Sequence, residues 1–302
     1  MGASWRHLEV LHLHDAWATK SRPNLSEHAL SHLARGCPRL RHLSLNRTPG
    51  IMDSNVEMLT RGKLLQFLDI SHSPLIGIRA TKAISECNHM RHLNLSCCRL
   101  SASDLRPVLS CEGLISLGLN YTGLDSTLLR EIASKFKALV AFAAAGTNIS
   151  SSAVKRLLGN EGLVYVDISE CVYVENDFIL GPESISEELK DCELHGLSHP
   201  LKRPEDYADH EEQGRLLEIN LARTGVTVIP EIGWALASWS LKCVCLDGCP
   251  GWHCQAFGYG KDRKWMDFSK ECSWNCSRVI TGTEMKSFAD VAFALERDHR
   301  RG

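Results

Sequence analysis

Two groups of side chains have the types and spacing to do chemistry. The first is Cys249-x4-Cys254 with Cys272-x3-Cys276, and His253 beside it. Four such ligands suit tetrahedral zinc. The spacing is not the compact CxxC pair of a zinc ribbon, and Cys249 already fills a slot in the repeat described below. These residues are therefore read as part of an aromatic cap with free thiols. Zinc is the lesser alternative, and disulfides are expected only in an oxidising compartment. The second group is His12, His42, His72 and His92. They fall on four different strands, so at most two converge, and Asp69 is the one carboxylate placed to orient a ring. They suit a pH-sensitive contact better than a metal or acid–base centre. No Walker loop, dinucleotide glycine pattern, HExxH or nucleophile elbow occurs. No catalytic residue and no cofactor is expected, and the chain is expected not to be an enzyme.

The elements that position these residues follow from a repeat. One phrase recurs: Leu, two residues, Leu, one residue, Leu, two residues, then a small Cys, Thr or Ser. It starts at Leu40, Leu65, Met90, Leu114, Leu139 and Leu163, at spacings of 25, 25, 24, 25 and 24. It also starts at Leu8, and again at Leu216 and Leu241. The interval from 163 to 216 is about two periods, and Leu189-Cys192-Leu194-Leu197 is a degenerate filler. This is the leucine-rich-repeat pattern, in which each unit is a short strand followed by a helix. The three apolar positions point into the core, and the small ninth residue turns inward to bond exposed backbone of neighbouring turns. Helical stripes follow at Leu30-Leu33-Ala34, Leu128-Leu129-Ile132 and Val154-Leu157-Leu158, opened by Ser or Asp as N-caps. No unit buries its face alone, so the core exists only by stacking.

The expected fold is an α/β leucine-rich-repeat solenoid, a curved horseshoe with a parallel inner sheet and outer helices, of nine to ten repeats. Residues 1–249 form the array. Residues 198–215, with two Pro and five acids, read as an exposed loop in place of a helix. Residues 250–302, rich in aromatics and Cys, are assigned as the C-terminal cap. Met285, Phe288, Val291, Ala292 and Leu295 mark a terminal helix there.

The unit resembles the cysteine-containing class of leucine-rich repeats. The resemblance rests on Gly36-Cys37-Pro38-Arg39-Leu40, on Cys87 and Cys111 ahead of their strands, and on ninth-position Cys98, Cys171 and Cys249. It covers roughly 8–249. Proteins of this class are often the substrate-receptor arms of F-box ubiquitin ligases. Others are assembly or accessory factors, including the family resembling the mitochondrial ATP synthase s-type subunit. No F-box precedes the first strand in this chain. A ligase role therefore implies an F-box that is lost or encoded upstream.

Charge and composition bound the partner. Net charge is -2, but residues 1–150 hold 17 Lys+Arg against 11 Asp+Glu, and residues 151–302 hold 17 against 25. Such a balance excludes a basic nucleic-acid groove, since Arg41, Arg47 and Arg91 are too few to line one. The longest apolar run, Ala138 to Ala145, is too short to span a bilayer. Thirteen Cys, mostly in repeat positions, and the lack of a signal-peptide core suggest reduced thiols. The expected setting is intracellular, cytoplasmic or nuclear, with mitochondrial as an alternative.

The expected partner is another protein, held on the concave face or the C-terminal end, with membership of a multi-subunit assembly as an option. Residues flanking the middle apolar position point out of the inner sheet, by the period of two. On this basis His12, His42, Phe67, Asp69, His92, Asn94, Tyr165, Asp167, Glu193 and Glu218 line the binding face, with Tyr121 just beyond its strand. His42, Phe67 and His92 should form an aromatic row, with strands about 5 Å apart. Substrate recognition in an F-box-type ligase pathway is the first reading. A structural or assembly subunit, mitochondrial or ciliary, is the alternative.

Overall fold

A strand that buries one residue in two and recurs every 25 residues has one economical solution. Each period contributes one rung to a parallel sheet, and the helix that follows covers the buried side. The computed structural model describes residues 5–13, 27–48, 50–62, 64–180, 216, 218–226, 243–246, 249 and 278–279. The chain divides into two compact units, Met1–Thr147 with Ser287–Gly302, and Asn148–Lys286.

In the first unit the strands are β1 (Val10–His12), β2 (His42–Ser44), β3 (Phe67–Asp69), β4 (His92–Asn94), β5 (Ser116–Gly118) and β6 (Ala141–Ala143). They pair in parallel and in sequence order. The register sets His42 beside Phe67, Phe67 beside His92, and His92 beside Ser116. The helices are α1 (Glu27–Gly36), α2 (Asp53–Thr60), α3 (Ile78–Ser85), α4 (Ala102–Leu105) and α5 (Ser126–Lys135). α4 gives way to a 3-10 segment, Arg106–Ser110. Pro107 lies inside it and lacks the N–H that an α-helix would need there. The middle strand residues Leu43, Leu68, Leu93, Leu117 and Phe142 are buried. Leu117 and Leu119 of the fifth repeat meet Leu128, Ile132 and Phe136 around a void of only about 10 Å³. The apolar side of the strands thus faces the helices.

Helix starts follow the sequence in part. Asp125 caps α5, its Oδ1 accepting from Leu128 N at 2.8 Å. Ser101 and Asp104 form a capping box at α4. At α3 the N-cap residue is Gly77, which has no side chain to offer. The carboxylate of Asp53, one repeat earlier, accepts from Gly77 N at 2.6 Å and Ala80 N at 3.2 Å instead. One helix start thus borrows its anion from its neighbour. Two-pronged ion pairs join further neighbours, Arg79 with Glu57 and Arg106 with Glu131.

In the second unit α6 (Ser151–Leu158) and α7 (Asp177–Leu180) accompany β7 (Tyr165–Asp167), β8 (Glu218–Asn220), β9 (Cys243–Cys245) and β10 (Arg278–Val279). At α6 the Ser150 side chain bonds Ser152 and makes no cap to the helix. Ser151 Oγ instead accepts from Glu175 N at 2.8 Å. β7 pairs directly with β8, with Tyr165 opposite Glu218 and Ile168 N bonded to Asn220 O at 3.0 Å. The degenerate repeat expected at 189–197 is therefore not a rung between them. Residues 181–215, which include it, lie outside the described residues. β10, inside the stretch assigned as cap, pairs in parallel with β9. The rest of 250–302 lies outside the described residues, as do 198–215.

One strand per period, parallel pairing in sequence order and a helix after the strand make this an α/β leucine-rich-repeat solenoid. Among the described residues no helix is long and apolar enough to cross a membrane.

Candidate functional site

The side of each strand turned away from the helices carries the expected binding residues. In the first unit the aromatic row forms. His42 stacks on Phe67 at 6.3 Å between ring centroids, His92 lies tilted at 5.8 Å, and His12 meets Phe67 edge-on at 6.1 Å. His92 Nδ1 is 2.9 Å from Ser116 Oγ on the next strand. The row is not open to solvent, however. Phe67 is 2% exposed, His92 3% and His42 7%, and only His12 is partly exposed. Ser44, Ser116, Ala141 and Ala143 on the same side are buried as well.

The acids and amides of this face bond the backbone of the turns that follow their strands. Asp69 Oδ1 accepts from Ser71 N at 3.0 Å and Ser71 Oγ at 2.7 Å. Asn94 Oδ1 accepts from Ser96 N at 3.1 Å. In the second unit Asp167 Oδ1 accepts from Ser169 N and Oγ, and Asn220 Oδ1 accepts from Ala222 N. Each closes the turn that ends its strand, as Asx side chains do. Gly118 and Ala143 lack such a side chain. There Asn120 Oδ1 accepts from Ala145 N at 2.7 Å, one rung over. Burial raises the Asp167 carboxyl above the usual carboxylate range, and the Ser169 bonds oppose this. Tyr165 is buried. Glu218 takes its place in β8 between Tyr165 and Cys243. Glu193 lies outside the described residues.

Just past each strand comes a feature that the residue types did not announce. Arg47, His72, Cys97 and Tyr121 in the first unit, and Glu170 and Arg223 in the second, have φ between 54° and 60°. Among the described residues Gly146 is the one glycine in the series, at φ 63°. Non-glycine residues rarely adopt this conformation. The stacking of the repeats holds them there. Arg47 N donates to Ser71 O, His72 N to Ser96 O, Cys97 N to Asn120 O and Tyr121 N to Ala145 O, at 2.7 to 3.0 Å. In the second unit Glu170 N donates to Ala222 O in the same way. The result in the first unit is an edge on which Arg47, His72 and Tyr121 are exposed at rung spacing, with Cys97 partly so. Met52, Leu75 and Ile78, exposed apolar residues, follow in sequence, Met52 as the N-cap of α2 and Ile78 as the first residue of α3. Tyr121 is 51% exposed and its ring lies over Gly146. His72 is held below the usual histidine range by partial burial and then by Arg47, with Asp69 opposing, so it is neutral near pH 7.

Cys87, Cys98, Cys111 and Cys249 are structural donors. Thr122, Thr147 and Thr224 at the ninth position donate to a carbonyl three residues back in their own turn. Two ninth-position cysteines reach further, as expected of this slot. Cys98 Sγ donates to Ile70 O at 3.4 Å and Cys249 Sγ to Leu221 O at 2.9 Å, each in the preceding repeat. Cys87 and Cys111 donate to Thr60 O and Ile84 O, near the ends of the preceding helices. Cys249 is thus engaged in the ladder, and Cys254, Cys272 and Cys276 lie outside the described residues. Among the described residues no group of three His, Cys, Asp or Glu is arranged to hold a metal.

Burial pushes the Cys98 and Cys111 thiols up to about 12 from 9.0. The unfolded thiols ionise above pH 9 and the folded ones do not, so the folded state binds more protons between the two values. Stability is therefore complete below about pH 9 and falls as pH rises towards 12, by up to about 1.4 kcal/mol per unit for each thiol. The urea midpoint is expected to drop between pH 9 and 11, with a shallower pH slope in Cys98→Ala/Cys111→Ala. An equal slope in both proteins contradicts the assignment. In iodoacetamide labelling of the native chain at pH 8, Cys97 is expected to react before Cys98 and Cys111.

No family model matches this sequence, and no curated protein matches it. Among solved structures, the chain is similar to an internalin (inlF) from Listeria monocytogenes, at 13% identity and a TM-score of 0.48. That match covers 74% of this chain and 58% of the internalin, so the chain spans less than two thirds of its length. It is also similar to an internalin C2 (inlC2) from the same organism, at 11% identity and a TM-score of 0.46, covering 84% of this chain and 83% of the other.

Proposed function

We propose that the chain is a non-enzymatic scaffold that binds another protein along the edge following the strands of its first unit. The observation that carries this is the row Arg47, His72, Cys97 and Tyr121. Four unlike side chains are set at about 5 Å intervals by backbone bonds to the next rung, on a conformation that none of them prefers. An exposed Arg and an exposed Tyr, on a unit that also exposes Met52, Leu75 and Ile78, are of the types enriched in protein contacts. The buried inner face offers less, because Phe67, His42 and His92 are already covered.

Within that class, the cysteine pattern supports substrate recognition in an F-box-type ubiquitin ligase pathway, in an intracellular setting. Buried, protonated Cys98 and Cys111 accord with reduced thiols. The test is affinity capture of the intact chain from its own cells, beside Arg47→Ala/His72→Ala/Tyr121→Ala. Co-capture of the ligase adaptor and cullin is the expected result. One fixed stoichiometric assembly instead makes the chain a structural subunit. A triple variant that keeps every partner at wild-type yield overturns the edge as the site.

A further inference from the structure

We propose that the other edge of the first unit's sheet, where the strands begin, is a docking surface for an acidic segment of a partner protein. The backbone sets which residue enters each strand. Arg41 N donates to Glu9 O, Gln66 N to Arg41 O, Arg91 N to Gln66 O, and Ile115 N to Arg91 O, at 2.7 to 2.8 Å. Arg41 and Arg91 are therefore two rungs apart in one ladder, about 10 Å at the backbone. Both are exposed, as is Arg39. Arg39 Nη1 lies 3.4 Å from His7 Nδ1, and Arg91 Nη1 donates to Gly113 O at 3.2 Å. The Arg91 guanidinium is thus pinned to the next rung by one N–H, and its remaining donors are free to meet a carboxylate.

Two observations separate these arginines from ordinary surface charge. First, helix ends do not account for them. Arg35 and Lys135 sit in the last turns of α1 and α5, where a cation complements the free carbonyls. Arg39 and Arg41 lie beyond the end of α1 at Gly36, and Arg91 lies beyond the end of α3 at Ser85. Second, most acids of the unit are engaged elsewhere. Asp53 and Asp125 cap helices, Asp104 closes a capping box and Asp69 holds its turn. Glu57 and Glu131 pair with Arg79 and Arg106. Glu9 stands beside Arg41 in the ladder, yet among the described residues Arg39, Arg41 and Arg91 have no acidic partner.

Guanidinium forks in this state suit carboxylates, which they can hold by two parallel bonds. Three arginines with a two-rung gap are too few for the continuous row of phosphates that a nucleic acid presents. A protein segment with two or three acids is matched by them. This surface is separate from the edge beyond the strands on which the proposed function rests, so either reading can fail alone.

The test is fluorescence polarisation of the intact chain with a labelled peptide of alternating Glu and Gly at low ionic strength. The wild type is expected to bind, more weakly as salt is added, and Arg41→Ala/Arg91→Ala to bind about tenfold more weakly. Arg79→Ala/Arg106→Ala removes the same charge from arginines that already have partners, and should change Kd by less than about twofold. Arg47→Ala/His72→Ala/Tyr121→Ala, on the other edge, should also keep the peptide. Arg41→Lys/Arg91→Lys keeps the charge and allows zero-length carbodiimide coupling, which should join the peptide at position 41 or 91. No binding by the wild type, equal losses in the two Arg→Ala pairs, or coupling only at other lysines overturns the proposal. Loss confined to the Arg47 variant moves the acidic partner to the other edge and overturns it as well. Tighter binding of oligouridylate or of phosphatidylserine vesicles than of the peptide, abolished in Arg41→Ala/Arg91→Ala, overturns the assignment to a protein. If the Ala pair unfolds, the coupling decides.

Discussion

Replacing Phe142 by Ala is expected to cost about 3–5 kcal/mol, the range for removing a fully buried aromatic ring. Phe142 occupies the middle of β6 with no solvent exposure, beside Leu117 of β5. Neighbouring repeats have Leu at this position and a large aliphatic residue two places on: Leu43 and Leu45, Leu68 and Ile70, Leu93 and Leu95, Leu117 and Leu119. The β6 repeat has Phe142 and Ala144. The ring fills volume that the second aliphatic side chain supplies elsewhere. Phe142→Leu alone should therefore leave a gap, whereas Phe142→Leu/Ala144→Leu should stay within about 1.5 kcal/mol of wild type. Urea unfolding with the slope held constant measures both. A double variant as unstable as Phe142→Ala refutes the exchange of volume.

Gly123→Ala is expected to cost about 1–3 kcal/mol, and more than Gly146→Ala, although the second glycine looks the less replaceable. A Cβ on Gly146 would lie 2.5 Å from the Tyr121 ring, at φ 63°. That ring is half-exposed and can swing aside, leaving a left-handed alanine at about 1 kcal/mol. A Cβ on Gly123 would lie 2.9 Å from both Leu100 O and Ser101 Cα. These are backbone atoms, and Gly123 N already donates to Leu100 O at 2.7 Å. The next residue pushed is Ser101, the N-cap of α4. Relief must come from separating two repeats. Thermal melts of the two variants give the ranking, and Gly146→Ala melting lower than Gly123→Ala reverses the argument.

The period made the rungs legible. The residues chosen as middle apolar positions, from Leu11 through Phe142 to Val244, are the centres of β1 to β9. That follows because a strand buried on one side needs the same three positions each time. The aromatic row was legible for the same reason, since register fixes which residues are neighbours. Its burial was not, because period and register fix which residues share a face and not how much solvent reaches it. The roles of Asp69, Asn94, Asp167 and Asn220 had a signal that was available: each stands two residues before the amide it accepts from. The borrowed cap at α3 had none, because Asp53 and Gly77 are 24 residues apart. Nor did the left-handed edge, where Arg, His, Cys and Tyr hold a conformation usually signalled by Gly or Asn.

From β2 onward, the bonds that join rungs in the first unit span about one period. Asp53 reaches Gly77, Cys98 reaches Ile70, and Arg47 N reaches Ser71 O. Each of these bonds therefore reads the rung beside it, and reads it through backbone groups that every rung presents alike. Such a chain has a natural quantum of length. Excision or duplication of one whole period brings equivalent carbonyls and amides together again, and the molecule changes size without changing its grammar. A gain or loss of a few residues within a strand and its turn breaks every one of those agreements at once. Over evolutionary time, recombination that copies or drops entire periods is the route by which such an array lengthens or shortens its binding edge.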